Sequence, residues 1–213
     1  MECRMMTTQP ESWQDEERAQ RYARQSKIGS RIVYAPFARR IVRSLVTLEE
    51  GATIVDLGTG PGLLAVELHK LWPQPRIIGV DPSSEMLRIA SKNAEEAGMS
   101  YFEARLGAAE ETSLPSNSAG LVVSQYSFHE WEDPQKGLGE VFRILKPGGS
   151  LILNDYNRAW LSPWKRKLLS LFHHLDMFEF TCEQVVDLLT AAGFDEIEGQ
   201  CKGLQWFVRA RRP

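Results

Sequence analysis

The chain has 213 residues, 43% hydrophobic and 25% charged, with a formal net charge of −3 at pH 7. That length and balance fit one globular domain with a real core, and the acidic sum argues against a nucleic-acid footprint. No apolar run approaches the roughly 18–20 residues of a membrane span, and residues 1–20 hold no signal-peptide core. Cys3, Cys182 and Cys201 are odd in number and lack C-x-x-C spacing, which predicts reduced thiols in a cytoplasmic protein without a disulfide frame. The four histidines are scattered, and no metal site is expected.

In chain order, residues 1–11 carry little packing signal. Ser12 as a cap, followed by Asp15, Glu16 and Glu17, predicts a helix starting near Trp13. Ile32, Ala35, Ala38, Ile41, Val42 and Leu45 at helical spacing predict a second helix over 32–46. Its Arg39, Arg40 and Arg43 are expected on a solvated face, the competing reading being an anion site. Residues 53–57 read as a buried, β-branched strand; Gly58, Gly60 and Gly62 make a turn, and a helix starts at Leu63. Glycine there allows positive φ and close approach of a ligand, while the helix start offers unpaired N–H groups. Pro61 is expected in the first helical turn, where its missing N–H costs nothing.

Residues 76–81 form a second strand ending in Asp81, about 20 residues beyond the glycine turn, where a carboxylate accepts from both ribose hydroxyls. A third strand spans 101–106, and a loop or short helix follows over 107–115. Residues 121–124 read as a strand buried on both faces, its C-terminal end at the ligand crevice. Gln125, Tyr126, His129, Glu130 and Trp131 follow it. His129 is the base candidate because its pKa suits proton transfer near neutrality; the alternative is that His129 and Trp131 merely pack the loop. Asp133-Pro134 opens a helix to about Leu145, Lys146-Pro147-Gly148-Gly149 stops it, and a fifth strand covers 150–154, leaving Asp155, Tyr156 and Asn157 at its ligand end.

Over 160–180, Trp160, Trp164 and Phe172 accompany Lys165-Arg166-Lys167. This mix fits an inserted helix that roofs the acceptor pocket, with an interfacial membrane helix as the alternative. Thr181-Cys182-Glu183-Gln184 resembles a capping box, beginning a helix to about Ala192 that Gly193 ends; residues 194–201 and 204–210 read as the last strands.

Val55-Asp56-Leu57-Gly58-Thr59-Gly60-Pro61-Gly62 resembles the first motif of the class I S-adenosylmethionine (SAM)-dependent methyltransferases. Gly79-Val80-Asp81-Pro82-Ser83-Ser84-Glu85-Met86-Leu87, the stretch from Leu121 through Trp131, and Arg143-Ile144-Leu145-Lys146-Pro147-Gly148-Gly149 resemble later family motifs in the same order. The likeness covers roughly residues 50–155 and extends to the tail around Trp206-Phe207-Val208. It implies a three-layer α/β sandwich with a Rossmann-like, seven-stranded, mostly parallel sheet whose last strand is antiparallel. One domain is expected over 1–213, with leading helices as a partial lid (1–48), a cofactor core (49–155), the insertion (156–180), and a closing helix and strand pair (181–213).

The resemblance implies SAM as cofactor, S-adenosylhomocysteine as product, and in-line attack of an acceptor atom on the sulfonium methyl. Its cofactor contacts fall here on Asp56, Gly58, Thr59, Gly60, Gly62, Asp81, Pro82, Met86, Ala108, Ala109, Glu110, Ser124 and Gln125. The family's adenine-binding acid position holds Ala108, a departure that leaves Glu110 or the Ala108-Ala109 backbone to read the ring. Acceptor contacts fall on Tyr22, Tyr126, Asp155 and Tyr156, with Arg31 a further candidate from the lid. No Asn-Pro-Pro-Tyr-like sequence follows the fourth strand, so a small molecule is the expected acceptor rather than a nucleobase. A monomer or homodimer fits. The rivals are a catalytically silent SAM-binding partner subunit and an NAD-dependent oxidoreductase, which would share the sheet and the ribose acid.

Overall fold

A computed structural model describes residues 16–44, 51–162, 177–201 and 203–213, with only the backbone of Arg18, Ile28 and Arg31. Strands β1 (Thr53–Leu57), β2 (Arg76–Asp81), β3 (Phe102–Leu106), β4 (Ala119–Gln125), β5 (Leu145–Tyr156), β6 (Asp195–Gln200) and β7 (Gln205–Arg211) form one sheet. Their order is β3-β2-β1-β4-β5-β7-β6. Neighbours from β3 through β5 pair in parallel, and β7 alone runs antiparallel to both its neighbours. Helices α1 (Glu16–Ser44), α2 (Leu63–Leu71), α3 (Ser84–Glu96), α4 (Pro134–Ile144) and α5 (Cys182–Ala191) complete the three layers expected from the sequence.

Strand parity explains the two cores. Leu121 and Val123 of β4 join Ile54, Ile152 and Phe207 beneath Phe37, Ala38 and Ile41 of α1 and Leu64 and Leu68 of α2. Val122, between them, points the other way into the cluster holding Leu138 and Val141 of α4 and Val185 and Leu189 of α5. A parallel strand covered on both faces has no polar side to show, hence its continuous apolar run. The helix ends follow their side chains. Asp133 accepts from Lys136 N at α4, and Thr181 and Gln184 form the expected capping box at α5.

Three expectations are corrected. The two leading helices are one, continuous through Gly29 and Pro36. Proline inside a helix costs about 3 kcal/mol, yet Phe37 and Ile41 beyond it are buried, and each contributes about 1.5–3 kcal/mol; burial outweighs the break. Phe37, Ala38 and Ile41 of its second half join the core. Pro61 precedes the helix: Gly62 is the N-cap of α2, and the Pro61 carbonyl accepts from Asn93 Nδ2 at 2.8 Å. Finally, Cys182 and Cys201 are disulfide-bonded, with Cα atoms 5.2 Å apart. Their separation of 19 residues gave no spacing signal; packing of α5 beside β6 brings them together. The start of the first expected helix near Trp13, Cys3, and residues 163–176 of the insertion expected over 160–180 lie outside the described residues. Among those described, no helix is long and apolar enough to cross a membrane.

Candidate active site

The site lies at the C-terminal ends of β1, β2, β4 and β5. From β1 the chain turns with Gly58, Gly60 and Gly62 all at positive φ (71°, 50° and 73°). Gly58 and Thr59 donate to Val80 O at 2.8 and 3.0 Å, tying the turn to β2. Each glycine answers a different demand. A Cβ on Gly58 would overlap Ser127 of the loop after β4, and one on Gly62 would meet Ala90 Cβ of α3 at 2.9 Å, whereas one on Gly60 would meet nothing within 4 Å. The space open beside Gly60 is where a ligand can approach the backbone.

Asp81 closes that space from β2. Its Oδ2 accepts from Gly60 N at 2.8 Å and its Oδ1 from Ser83 N at 2.9 Å. Each carboxylate oxygen keeps a lone pair, so two ribose hydroxyls still find acceptors. Burial pushes Asp81 up to about 6, against the two backbone hydrogen bonds that favour the anion; the Glu130 charge adds to the rise. Asp56 is fully buried beneath the turn and accepts from Thr59 Oγ1 at 2.7 Å. Burial raises it to about 7, opposed by Thr59 and the Ala65 amide and aided by the Asp81 charge. Asp56 therefore orders the turn from below.

The remaining expected cofactor residues fall on the loop after β3, the start of α3 and the end of β4. Gly107 N donates to Asp81 O at 3.2 Å, which sets the Ala108-Ala109 stretch beside the acid. Glu110 is half-buried, and its Oε1 accepts from Asp133 N at 3.0 Å; this carboxylate staples the loop to the start of α4. Pro82 follows Asp81 directly, and Met86 is buried on the first turn of α3, its N–H held by the Ser83 cap. At the end of β4, Ser124 Oγ and Gln125 Oε1 are buried with no hydrogen-bond partner among the described residues. Gln125 Nε2 meanwhile reaches Val33 O of α1 and Asn154 Oδ1.

His129 departs furthest from a mere loop-packing residue. It sits in a 3-10 turn, Phe128–Glu130, anchored by Phe128, whose ring packs 4.7 Å from Trp131 and 5.8 Å from Trp206. Trp131 does pack the loop. His129 Nδ1 instead lies 2.9 and 3.0 Å from the two oxygens of buried Asp155, and its backbone N–H donates to the same carboxylate at 3.1 Å. Burial works to lower the imidazole pKa, but the Asp155 hydrogen bond and the charges of Asp155, Glu130 and Glu179 prevail and raise it. With Nδ1–H given to Asp155, the neutral ring carries its lone pair on Nε2.

Tyr126, at a positive φ of 55°, stacks on Tyr156 with ring centroids 4.8 Å apart. Tyr156 in turn meets His129 at 6.2 Å and Phe178 at 5.2 Å. Tyr22 of α1, at 36% exposure, is hydrogen-bonded to Tyr34 and lies within electrostatic reach of Tyr126 and Tyr156. The Arg31 side chain lies outside the described residues. Sequence reasoning missed Ser127, which fixes Gly58, as well as Tyr34 and Phe178. Tyr34 sits among helix-core residues, and nothing in its spacing marks it as facing the site.

Residues 55–153 match the methyltransferase domain family. The uncharacterized methyltransferase YdaC of Bacillus subtilis is 28% identical over 159 residues, 74% of this chain and 80% of that protein. A demethylmenaquinone methyltransferase of Thermus thermophilus is 35% identical over 105 residues, 48% of this chain and 46% of that protein, so the match spans about half of that relative's length. In fold, a crystal structure of a SAM-dependent methyltransferase from Methanococcus maripaludis superposes with TM-score 0.77 at 23% identity, covering 97% of each chain. The glycine turn, the β2 acid and the sheet order thus have their place: residues 55–153 are a methyltransferase domain, and the chain has the fold of SAM-dependent methyltransferases, whose cofactor is SAM. The space at Gly60 and the acceptor capacity left on Asp81 fit that cofactor.

Proposed function

We propose that the enzyme methylates a small-molecule acceptor held between the Tyr126–Tyr156 wall and His129, with His129 as general base. The observation that carries this reading is the His129–Asp155 pair at the mouth of β4 and β5, beside the tyrosine stack. The quinone named for the Thermus relative is also a small molecule.

SAM, when bound, supplies an electrophilic methyl on a positively charged sulfur. The residues of this chain do the rest. Asp81 would hold the ribose hydroxyls, the backbone at Gly60 would admit the ligand, and Asp56 with Thr59 keeps the turn from rearranging. Ala108, Ala109 and Met86 would serve the adenine. Tyr22, Tyr126 and Tyr156 exclude water from the acceptor and orient it, so that alignment provides much of the acceleration. His129 Nε2 removes the acceptor proton, and Asp155 stabilises the imidazolium that results. Because Asp155 raises the His129 pKa, the base form is lost as pH falls through that raised value, and the rate falls with it.

The test is transfer of a radiolabelled methyl from SAM into a cell extract separated by size. Label in the small-molecule fraction, reduced about 10²–10⁴-fold by His129→Gln, supports the proposal. Label only on protein or nucleic acid refutes it.

A further inference from the structure

A cleft of about 290 Å³ opens on the α1 side of β5, β7 and β6, lined by Arg40, Asn154, Gln200, Leu204, Gln205 and Trp206. Its lining holds amides and one arginine, and no carboxylate. Asn154 and Gln200 both pair with Phe207 across the sheet, so the three side chains form a row on one face. The Arg40 guanidinium lies over the middle of that row, 3.5 Å from the Phe207 ring centroid.

Arg40 was expected on a solvated helix face; it is instead half-buried, and its Nη2 is buried with no hydrogen-bond partner among the described residues. The contrast with its fellows is sharp. Arg76, Arg88, Arg105, Arg143 and Arg211 each meet a glutamate. A guanidinium stripped of part of its water and given no counter-charge among the described residues recovers only part of its desolvation cost from the Phe207 ring. An oxyanion would recover it, because the planar fork matches carboxylate and phosphate oxygens two at a time. Asn154 is already committed to Trp206 O and Gln125, which leaves the exposed Gln200 amide as the further donor. Arg209 stands two residues along β7 on the same face, opposite Glu198 of β6.

We propose that this cleft is a binding site for a small oxyanion, a carboxylate or phosphate group gripped by Arg40 above Phe207 and by Gln200. It is separate from the cofactor turn, which sits across the sheet at β1 and β2. Its rim reaches the acceptor wall through one bond, since Gln205 donates to the Tyr126 hydroxyl. The proposal does not depend on the methyl-transfer reading.

Inorganic phosphate, and acetate in a parallel arm, would be titrated at constant ionic strength into the full chain with and without saturating S-adenosylhomocysteine, following amide and Arg Nε resonances. Saturable shifts at Phe207, Gln200 and Arg40 are expected in both conditions, with a Kd on the order of 1 mM. Arg40→Gln should weaken binding about tenfold or more, and Arg40→Lys should weaken it less. The arm that saturates first distinguishes phosphate from carboxylate. Absence of saturation by either anion overturns the proposal, as do shifts confined to Gly60 and Asp81 that S-adenosylhomocysteine abolishes. Unchanged affinity in Arg40→Gln also overturns it, or in Arg40→Lys should the first variant not fold. Failure of the homologue itself to bind, with the cleft shifts intact, would count against the cofactor assignment alone.

Discussion

Alanine at Gly58 and alanine at Gly60 separate the two jobs of the glycine turn. Both backbones sit at positive φ, where a Cβ costs about 1–2 kcal/mol. At Gly60 the added methyl meets nothing within 4 Å, so that strain is the whole folding cost. At Gly58 it overlaps Ser127, whose Oγ accepts from Trp131 Nε1 at 3.3 Å in the loop that carries His129. Overpacking adds about 1–3 kcal/mol, bringing the Gly58→Ala loss to about 2–5 kcal/mol, a large part of the roughly 5–15 kcal/mol that stabilises a domain. Urea denaturation gives the two losses, and calorimetric titration with S-adenosylhomocysteine gives the two affinities. Gly60→Ala should fold nearly normally yet bind the homologue at least about tenfold more weakly, a loss of about 1.4 kcal/mol, because its methyl occupies ligand space. Gly58→Ala should lose stability first. If Gly60→Ala bound the homologue with wild-type affinity, the open space beside that residue would not be the cofactor's.

Asp81 is raised to about 6 by burial, and on the proposed reading ribose hydroxyls would bind its anion. Affinity for S-adenosylhomocysteine should therefore weaken as pH falls through about 6 and level off above it, a dependence that Asp81→Asn removes; a flat wild-type profile would dissociate the acid from the ribose. Asp155 raises the His129 pKa, so Asp155→Asn should move the His129 proton resonance titration to lower pH, and an unmoved titration would break the pair. Thiol titration of unreduced, denatured protein should count one thiol, Cys3, from three cysteines less the bonded pair; three would contradict the pairing. Cys182→Ala should cost about 3 kcal/mol by the chain-entropy estimate for a loop of that length.

What the sequence made legible was local or periodic. The strand, glycine turn and helix from Thr53 onward, the acid ending β2, and the caps at Asp133 and Thr181 each announce themselves within a few residues. Helix continuity through Pro36 was not legible, because it is decided by what Phe37 and Ile41 bury rather than by propensity. The Cys182–Cys201 bond, and the meeting of His129 with Asp155 across 26 residues, depend on which strands become neighbours. Arg40 shows the same limit at a single side chain: its helical spacing gave its face, but Phe207 of β7 beneath it decided that the face is partly covered.

The most direct test of the account is calorimetric titration of the wild-type protein with S-adenosylhomocysteine, with NAD as the competing ligand. Micromolar, one-to-one binding of the homologue and none of NAD is the expected result. A folded protein that binds neither, or binds NAD alone, would contradict the assignment of the Gly58–Gly62 turn and Asp81 to SAM.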